Sequence, residues 1–154
     1  MSGHDATIEW RRGDQPFVDK RYSRAHSWTF DGGAVVPGSS APASVPVPLS
    51  DPCAVDPEEA MIASLSSCHM LWFLAFAANA GLVLDSYVDA ASGELDRDAA
   101  GRRYLARVTL RPVTRFAGRA PDQAELDALH HQAHDHCEMA HSVRAAITIQ
   151  ASNG

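Results

Sequence analysis

The sequence predicts an α+β fold in a single domain, residues 1–154, on three observations. A long apolar segment with helix-start and helix-stop signals predicts a central helix over 56–79. Short segments in which apolar and polar residues alternate predict strands before and after that helix. A second amphipathic helix, starting near Pro121, precedes a last alternating segment at 143–151. Strands, helix, strands, helix and strand in this order are typical of α+β proteins.

The N-terminal third predicts strands joined by turns. Residues 6–11 (ATIEWR) and 23–30 (SRAHSWTF) suit strands, and the DGG at 31–33 predicts a turn between strands. Residues 36–57 are rich in Pro, Ser and Ala. We expect an irregular or edge-strand excursion there, because proline cannot donate a hydrogen bond to a central strand.

The central helix has the clearest signals in the chain. Asp56 is a good N-cap, Pro57 suits the first helical position, and Glu59 completes a capping-box pattern. Gly81 is the expected stop. Apolar residues on nearly every face predict a buried helix wrapped by other elements, and the apolar run at 70–84 is too short to span a bilayer.

The C-terminal half predicts further strands and turns. Segments 83–89 and 103–116 predict strands, with Pro112 making part of the second an edge or a bulge. SGEL at 92–95 and DAAG at 98–101 predict turns. The second helix carries residues at helical spacing along one apolar stripe: Leu126, Leu129, Ala133, Cys137 and Ala140.

Charge and cysteine usage exclude several classes of protein. A net charge of -6 and a pI near 5.7 argue against nucleic acid or an anionic membrane as partner. The first ten residues have no apolar signal core. Three cysteines without such a signal favour a reducing compartment, the cytoplasm, where a cysteine pair is more often catalytic or metal-binding than structural.

Two of the cysteines lie on predicted helices that face a shared core. Either Cys68 or Cys137 alone would favour an ordinary core cysteine, but the two together leave redox chemistry and a core role equally open. A peroxide is attacked by a thiolate, so such a site needs a nearby guanidinium to ionise one thiol and a second thiol to trap the sulfenic acid. Cys53, in the Pro-rich stretch, has no partner in this pattern.

Two motifs in register resemble the OsmC/Ohr family over nearly the whole chain. DPEEAMIASLSSC, residues 56–68, is similar to a signature with Pro-Glu at a helix start and a cysteine ten positions after the Glu. AHDHCEMAHSV, residues 133–143, is similar to a second signature, a helix-borne cysteine before the final strand. The resemblance implies an antiparallel sheet wrapped around the long buried central helix, and an intertwined homodimer.

The resemblance also implies roles for individual residues. Cys68 becomes the peroxidatic cysteine, Cys137 the resolving cysteine, and Glu58 the carboxylate that orients an arginine of the N-terminal hairpin. We favour Arg24, because it lies among apolar and aromatic strand residues where a charge is otherwise hard to explain. Other candidates for that arginine are Arg11, Arg12 and Arg21.

The implied activity is thiol-dependent reduction of a peroxide, an organic one included, with no bound cofactor. A Cys68–Cys137 disulfide would form and an external dithiol would reduce it. The substrate would lie in an apolar crevice at the dimer interface. Its candidate lining residues, which a hydrophobic core would explain equally well, are Met61, Leu65, Met70, Trp72 and Phe73.

Helix geometry suggests how a dimer would build the site. Glu58 and Cys68 lie about 15 Å apart along one unbroken helix at about 1.5 Å per residue, which is too far for one arginine to bridge. We therefore expect the Glu and the Cys of one site to come from two subunits, with the central helices antiparallel about a two-fold axis.

Two departures from the family pattern flank the cysteines. Glu138 follows Cys137 where proline is usual, and a carboxylate beside that thiol should raise its pKa. His69 follows Cys68 where a bulky apolar residue is common; on a helix it points about 100° away. Both departures suggest a side branch of the family.

A histidine cluster leaves an alternative function open. Five of the eight histidines fall between residues 130 and 141. His130 and His134 have metal-ligand spacing, and His134 with Cys137 could hold zinc or copper in a non-enzymatic thiol or metal-binding protein. The competing interpretations are a polar helix face made of histidine, and a structural dimer with inert core cysteines.

Overall fold

The computed structural model describes residues 3–154 and contains two compact units, Met1–Ala60 and Met61–Gly154. Strands and helices alternate in the predicted order, so the α+β class with one long helix is confirmed. A single domain over 1–154 stays a prediction.

The first unit contains a small antiparallel sheet in the order β1-β2-β3. Its strands are β1 (Ala6–Glu9), β2 (His26–Phe30) and β3 (Val35–Gly38). The predicted turn at 31–33 joins β2 to β3, and Gly33 takes a positive φ of 85° there, which favours glycine. The strand predicted from Ser23 begins only at His26, because the Arg24 N–H donates to the Leu49 carbonyl instead of to a strand.

The long helix α1 (Pro57–Asn79) follows the predicted bounds. The Glu59 N–H donates to the Asp56 carboxylate at 2.8 Å, and the Asp56 N–H donates back to the Glu59 carboxylate at 3.1 Å. These two bonds form the predicted capping box. Gly81, with φ of 72°, ends the helix as expected.

One stripe of α1 is buried in the chain. The buried residues recur every fourth position: Leu65, His69, Phe73 and Ala77. Other apolar residues of the helix are exposed, including Leu71 at 60%. The sequence predicted that other elements cover α1 on every face, and within one chain they do not. With a mean hydropathy of 1.6, α1 could span a membrane by length and composition alone, but core helices share those properties.

The second unit contains two three-stranded sheets, β4-β7-β9 and β5-β6-β8. Their strands are β4 (Val83–Asp89), β5 (Ser92–Arg97), β6 (Arg103–Leu110), β7 (Pro112–Ala117), β8 (Ala146–Ile149) and β9 (Ser152–Asn153). The pairs β4–β7 and β5–β6 are antiparallel, whereas β6–β8 and β7–β9 are parallel. The sheets of this unit are therefore mixed.

Two local predictions in this unit were wrong. SGEL at 92–95 is the start of β5 and not a turn: Gly93 pairs with Val108, and a Cβ there would lie 2.6 Å from the Ile62 side chain. The glycine therefore serves close packing. The segment 103–116 is two strands in different sheets, because at Arg111 the backbone N–H turns to the Asp89 carboxylate.

The second helix is also shorter than predicted. Helix α2 (Gln123–His136) starts at Asp122, whose carboxylate accepts the Glu125 N–H at 2.8 Å. At Cys137 the backbone becomes extended, with ψ of 107°, and a one-turn helix α3 (Glu138–His141) follows. Cys137 is thus the residue at which one helix ends and the next begins, instead of a position inside one helix.

Two clusters of buried side chains form the core of the second unit. One cluster contains Phe73 and Ala77 of α1 with residues that follow or face the helix: Leu82, Leu126, Leu129 and Ala133. The other cluster packs Leu65 against Val108 and Leu110 of β6. Both clusters use the buried stripe of α1, which fixes the rotation of the helix and therefore the direction of Cys68.

Candidate thiol site

Cys68 and Cys137 are free thiols that lie close enough together for Cys137 to affect the pKa of Cys68. Cys68, midway along α1, is partly exposed, whereas Cys137 is 1% exposed. One thiol can therefore meet a solute while the other is held behind it. Cys53, exposed in the first unit, is the third free cysteine.

The break between α2 and α3 places backbone N–H groups near both sulfur atoms. The Ala140 N–H donates to the Cys137 Sγ at 3.4 Å, as a side-chain cap of α3. The Met139 backbone N–H, close to the Cys68 sulfur, lowers the pKa of that thiol. A continuous helix would have committed these N–H groups to its own carbonyls.

Glu138 places a carboxylate beside Cys68. Its Oε2 accepts a hydrogen bond from the Trp72 indole at 3.0 Å and one from the Cys68 thiol at 3.5 Å. The indole is the main cause that lowers the pKa of Glu138, with a smaller contribution from the charge of His136. The carboxylate is therefore ionised at neutral pH. We expected it to act on Cys137, but its side chain contacts Cys68.

Within the single chain Cys68 is a protonated thiol at neutral pH. Burial, first of all, and the neighbouring Cys137 thiol raise the pKa of Cys68 to about 11. The Met139 N–H opposes this rise, while Glu138 adds to it. Ionisation at neutral pH therefore requires a cation that the neighbouring residues of the second unit do not supply.

Cys68 opens into a surface pocket of about 490 Å³. Most of the lining is apolar and comes from one face of α1. The lining residues are Ser64, Ser67, Cys68, Leu71, Trp72, Ala75 and Glu138. An organic molecule of moderate size fits these dimensions.

The predicted substrate contacts occupy different environments. Trp72 lines this pocket, whereas Leu65 and Phe73 are 1% and 0% exposed in the core. Met61 is 41% exposed and Met70 is half-buried, and neither lines the pocket. The role of these residues in substrate binding stays a prediction.

In the first unit, Arg24 is the candidate arginine that contacts both backbone carbonyls and an aromatic ring. Its Nη1 donates to the carbonyls of Lys20 and Tyr22, and its guanidinium lies 3.9 Å from the centroid of the Tyr22 ring. Within residues 3–60 neither Arg24 nor Glu58 forms an ion pair with the other or with any further charged group. Arg24 also borders an aromatic pocket of about 460 Å³, lined by Ile8, Trp10, Phe17, Tyr22, Arg24, His26, Ser39, Ser40 and Pro57.

The other candidate arginines are exposed. Arg11 pairs with Glu9 at 3.0 Å, and Arg12 donates to the Gln15 carbonyl. Arg21 is exposed as well. Glu58 is half-buried in the first turn of α1. The assignment of Arg24 and Glu58 to a catalytic site stays a prediction.

A buried histidine pair was missed by the sequence analysis. His69 Nε2 and His130 Nδ1 lie 2.9 Å apart, with both side chains at most 2% exposed, and Phe73 stacks on His130 at 4.2 Å. Burial lowers the pKa of His69 to about 4 and that of His130 to about 3. His69 Nδ1, His130 Nε2 and the Tyr87 hydroxyl have no hydrogen-bond partner among the described residues. The sequence contains one signal for this pair, since both histidines fall on the apolar stripes of their helices.

The histidines predicted as metal ligands occupy different environments. His130 faces His69 in the core, and His134 is half-buried on α2. In residues 3–154 no three His, Cys, Asp or Glu side chains are placed to hold a metal ion. The metal-binding alternative with His134 and Cys137 stays a prediction.

The fold and this site define a class of small α+β proteins in which a long helix and a second helical segment bring two cysteines together. The chain belongs to the family of OsmC-like proteins, whose family model matches residues 50–152. An OsmC-like protein of unknown function from Vibrio cholerae is 44% identical, with a TM-score of 0.96 over 99% of this chain and 100% of that chain.

Organic hydroperoxide resistance proteins share the fold at low sequence identity. One from Elizabethkingia anophelis is 15% identical, with a TM-score of 0.72 over 100% of this chain and 96% of its own. OhrB of Bacillus subtilis is 18% identical, with a TM-score of 0.66 over 99% and 98% of the two chains. No curated protein matches the sequence.

Proposed function

We propose that this protein is a thiol-dependent peroxidase that reduces hydroperoxides, including organic ones. The observation that carries the proposal is the pair of neighbouring free thiols, of which Cys68 opens to a largely apolar pocket and Cys137 is buried. Organic hydroperoxide resistance proteins with the same fold support it.

The reaction proceeds in two balanced steps. The Cys68 thiolate attacks the terminal peroxide oxygen, so that an S–O bond forms, the O–O bond breaks, and the alkoxide leaves as an alcohol with the proton lost by the thiol. Cys68 becomes a sulfenic acid while the peroxide is reduced. The Cys137 thiol then displaces water to form a Cys68–Cys137 disulfide, which an external dithiol reduces by exchange.

A second copy of the chain would supply the missing cation. A thiol whose pKa is about 11 reacts slowly at neutral pH, and a guanidinium is the group that would lower that pKa and stabilise the departing oxygen. Arg24, which Glu58 would orient in the dimer, is our candidate, because its guanidinium forms no ion pair within residues 3–60. The exposed apolar residues of α1, such as Leu71 and Leu74, are consistent with a partner helix.

The dimer is tested by the mass of the protein in solution. We expect static light scattering at micromolar concentration to give twice the chain mass of 16.6 kDa. A mass of one chain at that concentration would contradict the two-subunit site while leaving the thiol chemistry to be judged by its own experiment.

The peroxidase activity is tested by counting thiols. Reduced protein, which has three free cysteines, should lose two thiols within seconds of mixing with cumene hydroperoxide or hydrogen peroxide. A Cys53→Ser control should fall from two thiols to none, because Cys53 lies outside the pair. Unchanged thiol counts in both proteins would contradict the proposed function.

A further inference from the structure

Glu138 is the charged member of the wall around Cys68. Of the seven residues that line the pocket, two are serines, one is Cys68 itself, three are apolar, and Glu138 alone carries a charge. The Trp72 indole holds its Oε2 in place, within 3.5 Å of the Cys68 sulfur. Any molecule that reaches this sulfur through the pocket therefore approaches a fixed carboxylate.

We infer that Glu138 determines specificity at Cys68, so that the site accepts uncharged or cationic reactants and disfavours anionic ones. For turnover, this inference rests on the proposed peroxidase function, and it names the preferred substrate class as uncharged organic hydroperoxides. The charge effect itself is a property of the thiol site, and it acts on any reagent that reacts with the Cys68 sulfur.

Coulomb repulsion provides the physical reason. Attack on an oxidant requires Cys68 to become a thiolate beside the carboxylate, and an anionic oxidant adds a further negative charge to the same pocket. One unit charge at about 4 Å in a water-filled pocket changes a rate about fivefold, and a drier pocket enlarges the effect. An uncharged hydroperoxide adds no negative charge to the pocket, so this repulsion does not slow its reaction.

The test uses two alkylating reagents that differ in charge. Iodoacetamide is neutral and iodoacetate is anionic, and peptide mass spectrometry measures the rate of each at Cys68. Exposed Cys53 in the same sample standardises the reagent dose. The variant Glu138→Gln keeps an acceptor for the Trp72 N–H but removes the charge. Asp127→Asn, an exposed carboxylate on α2, makes the same change in net charge elsewhere.

The ratio of the two rates decides the inference. In Glu138→Gln the iodoacetamide-to-iodoacetate ratio at Cys68 should fall about fivefold or more, whereas Asp127→Asn should leave it within the error of the wild type. A ratio that is the same in wild type and Glu138→Gln would overturn the inference. A merely structural role for Glu138 would change both rates together and leave their ratio unmoved.

Peroxides then separate this inference from the proposed function. With cumene hydroperoxide and peroxymonosulfate, an anionic peroxide whose charge lies next to its O–O bond, Glu138→Gln should reduce the ratio of the rate with the uncharged peroxide to the rate with the anionic one by a similar factor. If neither peroxide oxidises the wild type, the proposed function fails, and the alkylation ratio still decides whether Glu138 imposes charge selectivity.

Discussion

The variant Cys68→Ser should lose peroxide reduction completely, whereas Cys137→Ser should reduce one equivalent and stop at a sulfenic acid. Cys68 borders the pocket and Cys137 is 1% exposed, so only the first thiol can meet a bulky hydroperoxide. Serine cannot form the nucleophilic thiolate. Without the second thiol, the sulfenic acid has no internal partner with which to condense.

Mass spectrometry with dimedone, which adds to sulfenic acids, checks this pair of results. The Cys68-containing peptide of Cys137→Ser should carry the adduct, and no peptide of Cys68→Ser should. The melting temperatures of both variants, measured in the reduced state, establish that each is folded. Loss of the Cys137 thiol in Cys68→Ser at the wild-type rate would show that the roles are assigned to the wrong cysteine.

Lowering the pH from 7 to 5 should destabilise the reduced protein by about 4 kcal/mol through the His69–His130 pair. Both histidines start from an ordinary pKa of 6.5, and burial lowers these values to about 4 and about 3 in the folded protein. Below pH 6.5 the unfolded chain therefore binds protons that the folded chain does not. Each histidine contributes about 2 kcal/mol at pH 5, and the loss continues until the pH reaches the folded values.

Neighbouring charges do not change this sign. Asp89 raises the pKa of His69 and His134 lowers it, but burial is the largest cause for both members of the pair. Urea unfolding at pH 7 and pH 5 measures the effect. The variant His130→Gln should remove about half of the pH dependence, whereas His131→Gln, whose side chain is 78% exposed, should preserve it. Equal stability of the wild type at the two pH values would contradict the prediction.

The long helix was predictable because its determinants are local. The capping box of Asp56 and Glu59 and the stop at Gly81 depend only on residues within one turn of each helix end. The burial of α1 was less predictable. Apolar residues surround the helix, so their pattern could not distinguish a face covered by the same chain from a face left for another molecule.

The errors arose where a contact distant in sequence overrides a local signal. Gly93 resembles a turn residue, but it packs against Ile62 in a strand. The helix containing Cys137 has no glycine or proline to announce its break, and the extended backbone at Cys137 is accompanied by contacts of α3 with the thiols. The periodicity of apolar residues contains no information about these distant contacts.

The sequence predicted the part of the candidate site that depends on helix faces, and missed the part that depends on contacts distant in the chain. Helix faces indicated that Cys68 and Cys137 share a core, and the structure brings them together. The direction of the Glu138 side chain depends on the backbone break and on Trp72, which lies 66 positions earlier in the chain. The His69–His130 contact spans 61 positions and was likewise beyond the reach of spacing rules.

The most direct measurement is a peptide map of the protein after one equivalent of cumene hydroperoxide, digested without a reductant. We predict one cross-linked species, in which the peptide containing Cys68 is joined to the peptide containing Cys137, while Cys53 remains alkylatable. Recovery of both peptides as free thiols, or a disulfide that involves Cys53 instead, would contradict the account.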